Sequence, residues 1–137
     1  MHVLEPSQSE FSAIRRVMVV EEDFTRRHLL ASLLALRPGL EIVTESADGA
    51  AATALRLDID AAFINLNATR GSGIELVRRL RKSQPDLPIT SIGHDLHPDL
   101  HMAAIRAGVR SFLEIPFASD SLSETLRDMF GVAVSAA

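Results

Sequence analysis

The feature that most constrains the fold is an alternation of short apolar runs with longer segments of helical period. The first run, Val17-Met18-Val19-Val20, contains no polar residue, as expected of a strand buried on both faces of a sheet. The alternation recurs along the chain and predicts strands over residues 17–20, 40–44, 61–65, 89–92 and 109–113. Five strands separated by helices and short connections predict an α/β fold, (βα)5 doubly wound, with a five-stranded parallel sheet and helices on both faces.

The helical segments carry their own start and stop signals. Leucines at helical spacing over residues 29–36 end before Pro38-Gly39, and further helices are predicted over 50–57, 74–82 and 98–107. Pro98 suits a first helical position and Gly108 a C-terminal cap. Ser121 and Glu124 have capping-box spacing within a last helix that ends near Phe130.

The 137 residues suit one domain, and 47% of them are hydrophobic, which is enough for a substantial core. Residues 1–15 are polar, contain Pro6 and have no period, so they are predicted to be a flexible lead-in. The apolar pattern predicts one domain over residues 16–130. Residues 131–137, GVAVSAA, are small and uncharged, as in a linker or the start of a following segment.

Composition excludes several classes of function. The net charge is −4 with no basic block, which argues against direct nucleic-acid binding by this segment. There is no cysteine, so disulfide frameworks and thiolate metal sites are excluded. Neither a membrane-spanning apolar stretch nor a signal peptide is recognisable, which predicts a cytoplasmic protein without membrane insertion.

Function in a doubly wound fold is located at the carboxyl ends of the strands. The residues that follow the predicted strands are Glu21, Glu22 and Asp23, then Asn65, Gly93, and Ile115-Pro116. These positions are the candidate site. The strand ends provide neither a serine nor a cysteine nucleophile, and no catalytic residues are predicted.

Several segments carry a family resemblance, in this order: VMVVEED, SADGAAATAL, DAAFINLNATRGSGIELVRRLR, DLPITSIG, AAIRAG and SFLEIPF. Over residues 16–130 the chain resembles the CheY-like receiver domain of bacterial two-component response regulators. In that family an acidic pair and an acceptor aspartate hold Mg²⁺, the aspartate is phosphorylated, and a hydroxyl and a lysine contact the phosphate. The resemblance places the acidic pair at Glu21 and Glu22, the acceptor at Asn65, the hydroxyl at Gly93 and the lysine at Ile115.

Three of these four roles fall on residues without the required chemistry. The amide of Asn65 is neither anionic nor nucleophilic, so no acyl phosphate is expected. Gly93 has no hydroxyl and Ile115 no cation for a phosphate. Other positions fit the family better, because Pro116 follows the lysine position at a bond that is commonly cis, and Phe112 holds the position of the switching aromatic. The resemblance therefore implies a degenerate pseudo-receiver, without enzymatic activity.

Simpler interpretations remain open for these residues. The Glu21-Glu22-Asp23 cluster is most simply an exposed strand end and helix cap, and Glu21 and Glu22 are weak candidates for residual Mg²⁺ binding; no other cofactor is expected. Asn65 could equally serve a turn through its own backbone hydrogen bonds. Histidines 94, 97 and 101 with aspartates 95 and 99 suggest a zinc cluster, but solvated loop histidines are favoured because a helix that starts at Pro98 leaves His97 outside it.

The resemblance also implies where the domain acts. The fourth helix, fifth strand and fifth helix form the face that receivers commonly use for dimerisation or for output domains, so Met102, Ile105 and Phe112 are candidate contact residues. The run HPDLHMAAIRAGVRSFLEIPF is similar to the degenerate receivers of CpaE/TadZ-type pilus-assembly ATPases, which is the leading specific hypothesis. The alternative is a DNA-binding regulator, because RPGLEIVTESADG is similar to receivers joined to DNA-binding domains.

Sequence after residue 137 would distinguish these two hypotheses. A Walker-type loop would indicate the pilus-assembly class, and a helix-turn-helix would indicate the DNA-binding regulator. Two further hypotheses are an atypical metal-responsive or phosphoryl-responsive switch that uses Glu21 and Glu22, and a small ligand in the vacated pocket.

Overall fold

The computed structural model describes residues 14–45, 47–67, 73–93 and 97–131. The predicted lead-in and linker lie outside the described residues except for positions 14, 15 and 131. Strands and helices alternate in the order β1 Arg15–Val20, α1 Phe24–Ala35, β2 Leu40–Glu45, α2 Ala47–Leu57, β3 Ala61–Asn65, α3 Gly73–Ser83, β4 Ile89–Gly93, α4 Pro98–Ala107, β5 Ser111–Glu114 and α5 Ser119–Phe130.

The strands form one parallel sheet in the order β2-β1-β3-β4-β5. Every neighbouring pair is parallel, and β1 lies between β2 and β3. The predicted (βα)5 doubly wound fold is confirmed. Since the strand order reverses at β1, the polar residues after β1 and β3 meet at the same edge of the sheet.

The core consists of two apolar layers, one on each face of the sheet. On one face Leu30 and Leu34 of α1 and Leu122 and Leu126 of α5 pack with Phe63 of β3. The other layer contains buried residues of α2, α3 and α4 together with alternate residues of the central strands. Burial of β3 on both faces explains why its sequence is continuously apolar before Asn65.

Two strand starts differ from the predicted ones for identifiable reasons. β1 starts at Arg15, earlier than the apolar run, because the Arg15 N–H donates to the carbonyl of Gly39 at 2.9 Å and the strand pairs with β2 from there. β5 starts at Ser111 rather than Val109. The Val109 N–H donates to the carbonyl of Ala104 at 2.9 Å, so Val109 takes part in the capping of α4 and the strand begins only afterwards.

The helix ends confirm one capping prediction and correct another. Gly108 caps α4 in the left-handed conformation, with φ of 118°. The capping box at Ser121 and Glu124 is wrong, because α5 begins at Ser119 after Ala118, which makes no side-chain capping bond. Ser121 lies inside the helix, where its carbonyl accepts from the Thr125 hydroxyl at 2.8 Å.

Arg81 links the ends of α3 and α4. Its guanidinium donates to the carbonyls of Pro85 at 2.7 Å and of Gly108 at 2.5 Å. Burial, and next the charge of Arg110, lower the pKa of Arg81 from its ordinary value. None of the described helices is long and apolar enough to cross a membrane.

Candidate functional site

The candidate site is at the carboxyl edge of the central strands. Glu21 follows β1, Asn65 ends β3 and Gly93 ends β4. Asn65 is paired in register with Ile92, and Gly93 with Glu114 of β5. The structure thus brings together residues that are far apart along the chain.

Glu21 is buried, with 1% of its side chain exposed, so its prediction as an exposed charge is wrong. Its carboxylate is turned back into the molecule and accepts three hydrogen bonds. Oε1 accepts from Nδ2 of Asn65 at 2.7 Å and from Nε of Arg26 at 3.0 Å, and Oε2 accepts from the Asp23 N–H at 3.0 Å. A carboxylate can be buried at modest cost when it is paired and hydrogen-bonded in this way.

Asn65 uses both ends of its amide and is only 6% exposed. Besides the bond that Nδ2 donates to Glu21, its Oδ1 accepts from the Asn67 N–H at 3.0 Å. The latter bond closes the turn after β3, so the prediction of a turn role for Asn65 is confirmed.

The turn after β3 is also fixed by a close approach of α3. A Cβ on Gly73 would lie 2.6 Å from both Cα and the carbonyl oxygen of Leu66, the residue after Asn65. Only glycine fits here without a backbone shift. The first residue of α3 therefore packs directly on the turn that orients Asn65.

Arg26 belongs to the site although sequence reasoning did not identify it. It lies in the first turn of α1, three residues after the N-cap residue Asp23, and half of its side chain remains exposed at 45%. The hydrogen bond to Glu21 raises the pKa of Arg26, and the charges of Glu21 and Asp23 add to this effect, whereas burial opposes it. An arginine five positions after a strand-end glutamate, in the first turn of the following helix, was the available signal.

The other two acidic residues of the cluster do not join the Glu21 carboxylate. The Asp23 side chain accepts from the Arg26 N–H at 2.9 Å and caps α1, as predicted for a helix cap, while Glu22 is exposed. Within the described ranges, the structure brings no three histidine, aspartate or glutamate side chains together in a metal-binding arrangement.

Gly93 and Ile115 are the two remaining candidate positions, and the Ile115 N–H donates to the Gly93 carbonyl at 2.8 Å. Gly93 has φ of 151°, and a Cβ there would lie 3.7 Å from Oδ1 of Asn65. Ile115 is partly buried against the apolar layer formed by α1 and α5, and the Ile115-Pro116 bond is cis, as the resemblance implied.

Phe112 packs against the apolar layer of α2, α3 and α4, and its ring stacks on His101 with centroids 4.0 Å apart. His97 caps α4, with Nδ1 accepting from the Asp99 N–H at 3.1 Å. Met102 and Ile105 each remain 46% exposed on the outer side of α4. His94 and Asp95 of the suggested zinc cluster lie outside the described residues.

The arrangement at the strand ends is a charge-balanced network. One buried carboxylate is neutralised by one guanidinium, and a neutral amide joins them to the end of β3. Hard cations need oxygen ligands that are free to coordinate, whereas Oε1 of Glu21 already accepts two hydrogen bonds.

Comparisons with known proteins agree with this architecture. The chain is 30% identical over 132 residues to protein-glutamate methylesterase/protein-glutamine glutaminase 4 of Myxococcus xanthus, covering 87% of this chain and 37% of that protein. The matches span 25–37% of the length of the first three curated relatives.

Among solved structures, CheY4 of Vibrio cholerae superposes with a TM-score of 0.78 at 22% identity, covering 86% of this chain and all of that chain. A Burkholderia thailandensis protein named for pilus assembly (cpaE) superposes with a TM-score of 0.74 at 22% identity, covering 85% of this chain and 98% of that one.

The family model of the response regulator receiver domain matches residues 17–127, from the core of β1 to the last helix. Because that match covers most of the chain, the protein belongs to the response regulator receiver domain family.

Proposed function

We propose that this chain is a receiver domain that is not phosphorylated and that regulates a partner or output domain through protein contacts. Receiver domains as a family are regulatory rather than catalytic. The observation that carries the proposal is the buried amide of Asn65, which occupies the acceptor position and donates to Glu21 at 2.7 Å.

The chemistry of phosphoryl transfer supports this proposal. A receiver forms an acyl phosphate on a carboxylate, which must be nucleophilic and reachable by the phosphoryl donor. Asn65 offers an amide whose nitrogen and oxygen are both engaged in hydrogen bonds, and it is 6% exposed.

The two positions that contact the phosphate in the family also lack the required side-chain groups here. Gly93 has no hydroxyl, and its backbone conformation, with φ of 151°, is one that residues with a side chain rarely adopt. Ile115 packs into the apolar layer and has no charge to offer. A bound phosphoryl group would therefore lack both of the contacts by which the family couples the acceptor to the rest of the domain.

We assign the contact surface to the face formed by α4, β5 and α5. Met102 and Ile105 present apolar groups to solvent from α4, and β5 is an edge strand with one side unpaired in the described sheet. Exposed apolar groups beside an open strand edge are typical of protein interfaces.

A cleft of about 400 Å³ runs between β5 and α5 on the same face. Its lining includes the carboxylates of Glu114, Glu124 and Asp128 and neither lysine nor arginine. The negative charge of this cleft favours a partner segment with basic residues. Two copies of the domain would pair through α4, because two acidic clefts facing each other would repel.

The proposal that Asn65 excludes phosphorylation is tested on the isolated domain by amide-resolved NMR with Mg²⁺ and then beryllofluoride, which mimics a bound phosphoryl group. We expect the resonances of Glu21, Asn65 and Gly93 to stay unchanged up to millimolar Mg²⁺ and after beryllofluoride. Shifts that spread from these residues to Phe112 and α4, or a mass increase of one phosphoryl group after incubation with acetyl phosphate, would show that the pocket still switches.

The contact face is tested by exchanging Met102 and Ile105 together for glutamate and measuring self-association by sedimentation equilibrium. If the domain pairs through α4, we expect the dissociation constant of the dimer to rise at least tenfold, because two charges would be buried in an apolar contact. Leu55→Glu is the matched control, since Leu55 is 61% exposed on α2, away from this face. Equal weakening by Leu55→Glu would refute the assignment.

Two hypotheses for the role of this domain in a longer regulator differ in the output domain that they require. Curated relatives include the nitrate/nitrite response regulator NarP of Escherichia coli, 41% identical over 69 residues, and the transcriptional regulatory protein DctD of Pseudomonas aeruginosa, 34% identical over 119 residues. The name of DctD as a transcriptional regulatory protein supports the DNA-binding alternative. The pilus-assembly hypothesis, the leading one from the sequence, is supported by a shared fold at 22% identity, and a Walker-type loop in a longer protein would decide for it.

A further inference from the structure

We infer that the guanidinium of Arg26 is a resident cation that occupies the place of a divalent ion beside Glu21 and closes a latent divalent-cation site. This inference rests on the proposed function, since it explains how the pocket stays balanced without a metal. It adds that the loss of a carboxylate at Asn65 is only one of two barriers to Mg²⁺, and that Arg26 is the other.

The geometry at the Glu21 carboxylate carries the inference. Oε1 is the oxygen that faces Asn65, and on this same oxygen Nε of Arg26 donates at 3.0 Å while Nδ2 of Asn65 donates at 2.7 Å. A divalent ion bound by this carboxylate and by a group at Asn65 would have to share Oε1 with the guanidinium. Repulsion between the two positive charges at this distance makes joint occupancy unfavourable.

Arg26 is also held in place by its own helix. Its N–H donates to Oδ2 of Asp23 at 2.9 Å, and this bond is the N-cap of α1. The side chain therefore starts from a fixed backbone position and needs only its own rotamers to reach Glu21. Moving it away would break a charge-assisted bond to a carboxylate that is 1% exposed, which would leave that charge without its counter-ion.

The neighbouring Arg27 provides a matched comparison within the same turn. Nη1 of Arg27 donates at 2.9 Å to the backbone carbonyl of Glu21 and not to its carboxylate, and the guanidinium lies 5.7 Å from the ring centroid of Phe24. Arg27 carries the same charge in the same turn, but it does not contact the oxygen that a metal would use.

The test compares the binding of Mn²⁺ and Mg²⁺ to four proteins: the natural chain, Asn65→Asp, Arg26→Ala with Asn65→Asp, and Arg27→Ala with Asn65→Asp. Binding is measured by paramagnetic broadening of assigned amides with Mn²⁺ and by titration with Mg²⁺. We expect no site-specific broadening in the natural chain and weak binding to Asn65→Asp alone. Removal of Arg26 in that background should tighten binding at least tenfold, whereas removal of Arg27 should leave it within about twofold of Asn65→Asp.

Two results would overturn the inference. If Asn65→Asp alone binds as tightly as the variant that also lacks Arg26, the arginine is no barrier. If Arg27→Ala tightens binding as much as Arg26→Ala, the effect is one of general charge rather than of a resident cation. Neither result restores phosphorylation of the natural chain, so the proposed function is judged separately by its beryllofluoride and acetyl phosphate tests.

A measurement on the natural chain covers the case in which a variant does not fold. The Nε–H of Arg26 should exchange with water at least tenfold more slowly than that of Arg56, an arginine exposed on α2, and 10 mM Mg²⁺ should leave both rates unchanged. Equal exchange rates for the two arginines, or faster exchange of Arg26 on addition of Mg²⁺, would contradict a resident guanidinium.

Discussion

Replacement of Asn65 by alanine removes two hydrogen bonds from a side chain that is 6% exposed. The bond donated to the Glu21 carboxylate is charge-assisted and is worth about 1.5–3 kcal/mol, and the bond accepted from the Asn67 N–H about 0.5–1.5 kcal/mol. We expect the free energy of unfolding to fall by about 2–4 kcal/mol in total. In a domain of this size that corresponds to a decrease in Tm of about 10 °C.

The measurement is urea unfolding followed by far-ultraviolet circular dichroism, with thermal unfolding as a second probe. The midpoint should move to lower urea while the slope of the transition stays constant, because the folded state remains compact. Asn67→Ala is the matched control. Its side chain is exposed, and the group that bonds to Asn65 is its backbone N–H, which alanine keeps, so its cost should be less than about 0.5 kcal/mol.

A double-mutant cycle with Glu21→Ala isolates the contact between the two side chains. We expect a coupling energy of about 1–3 kcal/mol, since the residues are in direct contact. The reasoning is refuted if Asn65→Ala costs no more than Asn67→Ala, or if the coupling energy is zero within error. Either outcome would mean that the Asn65 amide does not hold the Glu21 carboxylate.

Three further substitutions test the positions that shape the site, each by urea unfolding. Gly73→Ala should cost about 2 kcal/mol or more, because its Cβ would overlap backbone atoms of Leu66; a cost below about 1 kcal/mol would contradict the close approach of α3. Gly93→Ser should lower stability by about 1–3 kcal/mol through backbone strain, and a stability equal to that of the natural chain would show that the conformation is not required. Arg81→Lys keeps the charge but loses the planar donor group that reaches Pro85 and the end of α4, so a loss of about 1–2 kcal/mol is expected; unchanged stability would refute the link between α3 and α4.

The sheet and its two layers could be predicted because they follow from local patterns. The apolar runs of β1 and β3 can be buried only at the centre of a sheet, and Leu30 and Leu34 of α1 recur at the spacing of one helical face. Parallel strands joined by helices then fix which chain segments end at the same edge. For this reason Glu21, Asn65 and Gly93 could be identified as neighbours before the structure was known.

The boundaries of elements were less predictable because they depend on hydrogen bonds to distant residues. Arg15 enters β1 through its bond to Gly39, although nothing in its side chain indicates a strand. Val109 has the side chain of a strand residue, yet its N–H is used by the end of α4. In both cases the partner of a backbone group, rather than the side chain, determined the outcome.

The state of the site was decided only by the tertiary structure. The identities of Asn65, Gly93 and Ile115 are sufficient to argue that the familiar chemistry is missing, and that much the sequence determined by itself. Whether Glu21 points to solvent or inward depends on a counter-ion, and Arg26 becomes that counter-ion only when α1 packs on the sheet and directs its first turn toward the end of β1. A buried charge is stable only with its partner in place, and the position of a partner on another element is a property of the packed fold.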